Sequence, residues 1–162
     1  MEETKIVVLA DAYSIADATQ KMRGHISWLY WIAGLSLANL VYILLDQGYF
    51  MVAGLGLHSF AADWFAATEE QVVSVKLTIG FLLVLFFLVS GYLALKRAMV
   101  IPVVIATTVY ALDGILFATI YFDIMSLLFH LWATLSLVQG VMFMIQLKKH
   151  AQGISPVEEI SA

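Results

Sequence analysis

The chain contains no cysteine, and it has little charge of either sign. The absence of thiols excludes disulfide bonds, thiolate nucleophiles, cysteine-ligated iron–sulfur clusters and c-type haem attachment. Only 12% of its 162 residues are charged, eight of them basic, and the formal net charge is -4. Nucleic-acid binding needs a basic face, and none is present, so we expect no nucleic-acid partner.

Apolar residues are abundant, at 62% of the chain, and the mean hydropathy is +0.94. This content far exceeds that of a soluble domain. A hydrocarbon core of about 30 Å is crossed by about 20 apolar residues in a helix. Segments of that length occupy residues 26–45, 72–95, 100–120 and 124–147. The pattern predicts an all-α fold, an integral membrane four-helix bundle in contact with the lipid bilayer.

Basic residues flank these segments on one side of the predicted membrane, and acidic residues mostly fall on the other. The basic set comprises Lys21, Arg23, Lys96, Arg97, Lys148 and Lys149. Since positive charge accumulates in cytoplasmic loops, this distribution predicts a multi-pass protein with both termini in the cytoplasm.

Residues 49–67 are almost long and apolar enough to form a fifth span. A fifth crossing would place the basic pairs on opposite sides of the membrane, so we predict instead an outer loop over residues 47–70, interfacial or re-entrant. Gly54 and Gly56 allow a tight turn within it. A T-x-x-Q capping box from Thr68 to Gln71 then marks the start of the second span.

The flanks of the membrane domain are polar. We predict a cytoplasmic amphipathic helix over residues 1–24, a membrane domain over 25–148, and a short disordered cytoplasmic tail over 149–162. The opening residues are acidic and their apolar run is short, which does not fit a secretory signal.

Each predicted span carries one polar residue about 10–15 Å below its outer end. These residues are Asn39, Lys76, Asp113 and His130. Ionisable side chains at such depth normally face the bundle interior and find a partner. We therefore expect Asp113 to pair with His130 and with Lys76, about a turn predicted at residues 121–123.

Two interpretations of this polar layer stay open. In the first, it lines a cavity open to the outside and covered by a loop carrying His58 and Asp63. Such a cavity could bind a divalent metal, relay protons or hold a polar headgroup. In the second, Asp113 and His130 satisfy each other and fix the helix register, while the Lys76 ammonium extends to the interface.

Motifs for metal binding and catalysis are weak. The chain has no H-E-x-x-H, no C-x-x-C and no histidines one helical turn apart, so we predict neither a metal nor a cofactor. Ser126 lies four residues before His130, on the same helix face. With Asp113 it could form a triad, although a serine at this spacing more often bonds the backbone.

The stretches SWLYWIAGLSLAN from Ser27, GLGLH from Gly54 and YALDGILF from Tyr110, the last followed by YFDIMSLLFH, resemble a family of small bacterial four-helix membrane proteins of unassigned function. The resemblance matches Tyr110, Asp113, Gly114, Asp123, Phe129 and His130. His58 departs from the family pattern, where a threonine stands, and this weakens a metal role for the loop. The resemblance implies a bacterial inner-membrane location and no known activity.

These observations favour a non-enzymatic membrane protein of interaction or assembly. Its predicted partner is a second copy of the chain or another membrane protein. Small residues four apart allow helices to pack closely within the bundle, and the same faces could equally mark a dimer contact. These pairs are Gly34 with Ala38, Gly114 with Ala118, and Ser136 with Gly140. The alternatives are a small transporter or proton-coupled element using the outer polar layer, and an intramembrane hydrolase using Ser126.

Overall fold

The computed structural model describes residues 2–45, 55–120 and 124–153. Within these residues lie six α-helices: α1 (Glu2–Ile26), α2 (Trp28–Leu44), α3 (Leu57–Phe65), α4 (Glu69–Arg97), α5 (Val100–Ile120) and α6 (Ile124–Ala151). Four helical stretches are long and apolar enough to cross a membrane: Ser14–Leu44, Gln71–Arg97, Val100–Ile120 and Ile124–Ala151. The predicted all-α fold with four candidate spans is confirmed. The predicted α5–α6 turn at residues 121–123 lies outside the described residues.

The helix that contains the first candidate span is continuous with the end of α1. Only Ser27 separates α1 from α2, and its N–H still donates to the Arg23 carbonyl at 3.0 Å. The helical stretch Ser14–Leu44 therefore contains the first apolar segment, and its N-terminal part carries the charged Asp17 and Lys21. The proposed division at residue 24 stays a prediction, as does the tail, most of which (154–162) lies outside the described residues.

The predicted capping box at the start of α4 is confirmed. The Thr68 hydroxyl accepts a hydrogen bond from the Gln71 N–H at 3.4 Å, and the Gln71 side chain accepts one from the Ala67 N–H at 2.9 Å. At the other end, Ala98 adopts a left-handed conformation with φ of 49° and closes the helix before α5 begins. Such caps satisfy backbone groups that a helix end leaves unpaired.

The helices pack pairwise, with α2 against α4, α5 against α6, α1 against α6 and α3 against α4. Fully buried side chains include Ile26, Leu29, Ile32, Phe87 and Leu137. The opposite faces of the long helices expose large apolar side chains, such as Ile101 at 71% and Ile115 at 56%. An apolar surface around the whole bundle is what contact with lipid requires.

Small residues allow close helix approach at two of the three predicted pairs. A Cβ added at Gly114 would lie 2.6 Å from the His130 Cβ, and one at Gly140 would lie 2.8 Å from the Ile26 side chain. Gly34 differs, because nothing lies within 4 Å of an added Cβ there. Among the described residues, the close helix contact expected at Gly34 is therefore not made.

Candidate functional site

Asp113 on α5 joins three parts of the bundle. Its side chain is 1% exposed. The carboxylate accepts hydrogen bonds from the Gly56 N–H at 3.0 Å and from the Leu57 N–H at 2.6 Å, and it is hydrogen-bonded to His130 Nε2 at 3.0 Å. The predicted contact between Asp113 and His130 is present, and α3 is attached to the same carboxylate.

The orientation of His130 on α6 is fixed by stacking of its ring and by hydrogen bonds of both ring nitrogens. Nδ1 lies 2.8 Å from the Ser126 carbonyl oxygen, and Nε2 faces Asp113. The imidazole stacks on Tyr110 at 4.5 Å and on Phe117 at 6.0 Å between ring centroids. A carbonyl oxygen only accepts hydrogen bonds, so Nδ1 must carry a proton. A second proton must then lie between Nε2 and the carboxylate, whichever group holds it.

Three consecutive amides at the start of α3 are bonded to side chains of other helices. The Leu55 N–H donates to the Ser36 hydroxyl on α2 at 3.0 Å, and the next two amides donate to Asp113. The first amides of a helix have no intrahelical acceptor, and a negative charge is favourable there. Two neighbouring helices therefore complete the N-terminus of α3.

Glycine at position 56 is required by close packing. An added Cβ would lie 1.8 Å from the Phe117 ring, a distance that no side chain tolerates. Phe117 also stacks on the His130 ring. Because residue 56 has no side chain, the backbone before α3 can lie against Phe117, which in turn stacks on His130.

His58, the second residue of α3, is also inside the bundle, at 1% exposure. Burial lowers the pKa of its imidazole below 6.5, the Lys76 ammonium adds to that shift, and the Asp113 carboxylate opposes it. His58 therefore lies within electrostatic range of both Asp113 and Lys76.

Lys76 is half-buried on α4, beside α3. The predicted pair between Lys76 and Asp113 is wrong: no salt bridge of 4.0 Å or less joins these two described residues. The physical reason is that both Asp113 oxygens are already directed at the α3 amides and at His130.

The remaining predicted residues separate into an interior and a surface position. Asn39 is 1% exposed on α2, three residues after Ser36. Asp63 is exposed on α3. The structure therefore buries Asn39 in the bundle with Asp113, His130 and His58, and leaves Asp63 at the surface. Sequence reasoning missed Ser36, although its spacing of three from Asn39 placed both on one helix face.

The triad-like arrangement of Ser126 is present in outline. The Ser126 hydroxyl lies 3.4 Å from His130 Nδ1, but the Ser126 carbonyl lies closer, at 2.8 Å, and holds that nitrogen in its protonated form. Ser126 is also completely buried. Among the described residues no three His, Cys, Asp or Glu side chains are grouped to hold a metal ion. The geometry therefore favours a structural network over a catalytic one.

No known protein family, curated protein or solved structure matches this chain. The resemblance to small bacterial membrane proteins thus identifies no family. The four long apolar helices of the chain support a more general description, that of a small four-span membrane protein.

Proposed function

We propose that this chain is a non-enzymatic interaction or assembly protein of the membrane, and that α3 is its contact element. The observation that carries the proposal is the attachment of Asp113 to two α3 amides and to His130. This carboxylate is fully occupied in holding α3 to α5 and α6. The most polar group of the interior therefore acts as a clamp on α3.

The far end of α3 supports a contact role. Trp64 is 75% exposed and Phe65 is 76% exposed, next to the exposed Asp63. With nine residues, α3 is about 14 Å long and does not span a bilayer. A short helix clamped at its start and aromatic at its exposed end suits an interfacial or re-entrant segment that meets a partner near the headgroups.

Site-specific photo-crosslinking in the native membrane tests the proposal. A benzoyl-phenylalanine at position 64 is expected to give a discrete protein adduct, and its mass distinguishes a second copy of this chain from another membrane protein. The same probe at position 115 is the matched control, because Ile115 is exposed at 56% towards the same end of the bundle. There we expect adducts with lipid only.

The clamp itself is tested by adding Asp113→Ala to the position-64 probe. Loss of the clamp is expected to lower the yield of the discrete adduct without removing the protein from the membrane. Lipid adducts alone from position 64, at the level seen from position 115, would refute the contact role.

The proposed location is a bacterial inner membrane with both termini in the cytoplasm. Lys96 and Arg97 end α4, and Lys148 and Lys149 fall in the last turn of α6, so the two basic pairs share one end of the bundle. Because the chain has no cysteine, single cysteines introduced at residues 97 and 63 are suitable for accessibility labelling. Labelling of position 63 from the cytoplasmic side would reverse the assignment.

A proton-coupled transporter is the second candidate, and one observation favours it. His58 lies within electrostatic range of both Asp113 and Lys76, and Asp113 lies 3.0 Å from His130 Nε2. Proteoliposomes with an imposed pH gradient test this candidate. Dissipation of the gradient by the wild type, but not by a folded Asp113→Asn variant, would favour transport over assembly.

A further inference from the structure

Two adjoining cavities run along the contact between α1 and α6, at the end of the bundle opposite to α3. Their volumes are about 560 Å³ and 390 Å³, and Lys21 and His25 line both. We call them together the α1–α6 groove. Its residues take no part in the Asp113 site, so the proposal below is independent of the proposed function.

One end of the groove is polar and carries both signs of charge. The Lys21 ammonium lies 2.7 Å from the Asp17 carboxylate, and about half of each side chain is exposed. An ammonium has three N–H donors and a carboxylate has about four acceptor positions. Both groups therefore keep capacity to bind a further ligand.

His25 adds a donor beside this pair. Its Nδ1 lies 2.8 Å from the Ser136 hydroxyl, and its ring stacks on Phe143 at 5.8 Å. When Ser136 donates to Nδ1, the imidazole proton resides on Nε2, which is then a hydrogen-bond donor. The exposed amides of Gln139 and Gln146 line the same part of the groove.

The other end of the groove is aromatic. Trp28 and Trp132 line it, with ring centroids 5.0 Å apart in an edge-to-face arrangement. Trp28 follows Lys21 by seven residues, about 10 Å along the helix. The groove thus changes from charged to apolar over the distance between a lipid headgroup and its acyl chains.

The position of the charged end fits the headgroup level. Gln146 lines the groove with Lys21 and stands two residues before Lys148 in the basic last turn of α6. α6 has 28 residues, about 42 Å, which exceeds a hydrocarbon core of about 30 Å. The basic end of α6, and Lys21 beside it, therefore reach beyond the hydrocarbon.

We propose that the α1–α6 groove binds one phospholipid whose headgroup carries both a phosphate and an ammonium group. Lys21 and His25 bind the phosphate, Asp17 binds the ammonium, and Trp28 and Trp132 contact the apolar part. A purely anionic headgroup bound to Lys21 would be repelled by the neighbouring Asp17 carboxylate, which it cannot neutralise. A matched pair of opposite charges, 2.7 Å apart, favours a headgroup with both signs.

Native mass spectrometry of the delipidated full-length protein tests the proposal, with phosphatidylethanolamine and phosphatidylglycerol as probes. We expect one phosphatidylethanolamine to bind about tenfold more tightly than phosphatidylglycerol, the effect of one charge-assisted contact. Gly24→Leu is expected to reduce that binding at least about tenfold by filling the groove. Gly24 lines the groove, and an added Cβ meets nothing within 4 Å, so the variant should fold.

Gly34→Leu is the matched control. Gly34 lies in the same helical stretch Ser14–Leu44, is exposed, and also has nothing within 4 Å of an added Cβ, but it does not line the groove. We expect its lipid binding to equal that of the wild type. Equal binding by Gly24→Leu and Gly34→Leu would overturn the assignment to the groove.

Asp17→Asn tests the charge argument. Removal of the carboxylate leaves Lys21 without its neutralising partner, so the preference is expected to move from phosphatidylethanolamine to phosphatidylglycerol. An unchanged preference would overturn the role of Asp17. Free phosphoethanolamine has the same headgroup chemistry without acyl chains, and we expect it not to compete at equal concentration. Its competition would overturn the lipid and identify a soluble phosphoamine as the ligand.

Discussion

Replacement of Asp113 by alanine is the strongest available perturbation of the clamp on α3. It removes the acceptor of the Gly56 and Leu57 amides and of His130 Nε2, all in a site that is 1% exposed. Hydrogen bonds inside membrane proteins contribute about 0.6 kcal/mol on average and about 1.7 kcal/mol at most. For three such bonds we expect the free energy of unfolding to fall by about 2–5 kcal/mol, close to the range for breaking a buried pair.

Asparagine at the same position should be much milder, for a geometric reason. Its oxygen still accepts from the Gly56 and Leu57 amides, and its NH₂ group can donate to His130 Nε2. The exchange is compatible with the neutral imidazole because Nδ1 keeps its proton and its bond to the Ser126 carbonyl. We expect Asp113→Asn to cost about 1 kcal/mol, the loss of charge from otherwise similar bonds.

Unfolding in mixed micelles, followed by hydrogen exchange at the α3 amides, measures both effects. The amides of Gly56 and Leu57 should be protected in the wild type and exchange freely in Asp113→Ala, while those of α6 stay protected. Asp63→Ala is the control, because Asp63 is an exposed acid on α3 itself. Unchanged stability and unchanged protection of residues 56 and 57 in Asp113→Ala would refute the clamp.

Two further changes test the surroundings of the clamp. Gly114→Ala should cost about 1–3 kcal/mol in unfolding free energy, since its Cβ would lie 2.6 Å from the His130 Cβ, whereas Gly34→Ala, with nothing within 4 Å, should be neutral or stabilising by up to about 1 kcal/mol. Burial lowers the pKa of His58 below 6.5, so the unfolded chain binds its proton first as the pH falls. Its contribution to stability is complete above pH 6.5 and declines as the pH drops through the folded pKa. The decline of the unfolding free energy cannot exceed about 1.4 kcal/mol per pH unit. Measured between pH 7.5 and 5, the unfolding free energy should fall less steeply in His58→Gln than in the wild type.

Helix periodicity was enough to predict that Asp113 and His130 would meet. Each sits in an apolar run long enough to cross the membrane, and a rise of about 1.5 Å per residue sets their depths on either side of a short turn. The observed distance of 3.0 Å between His130 Nε2 and the carboxylate follows from that register. An ionisable residue in an apolar helix also predicts a buried partner, because an unpaired charge inside the membrane is energetically unfavourable.

The same reasoning failed for Lys76, and the failure has a physical cause. Sequence patterns reveal charged side chains but not unpaired backbone amides, which compete for the same carboxylate. The sequence predicts Lys76 as a second partner of Asp113 beside His130, whereas in the structure the Gly56 and Leu57 amides take that place. The only indication in the sequence was Gly56 itself, which permits the approach to Phe117 that brings those amides into reach.

The buried Asp113 carboxylate and the start of α3 each satisfy the hydrogen-bonding groups of the other. Backbone that is not helical is tolerated at membrane depth only where protein satisfies its polar groups. The amides of residues 55–57 precede the first turn of α3 or begin it, so they need acceptors from elsewhere, and Ser36 and Asp113 provide them. In a four-helix bundle without α3, a buried carboxylate at position 113 would lack these donors and would destabilise the fold. Beside the start of α3 it has two backbone donors, and His130 Nε2 lies 3.0 Å from it.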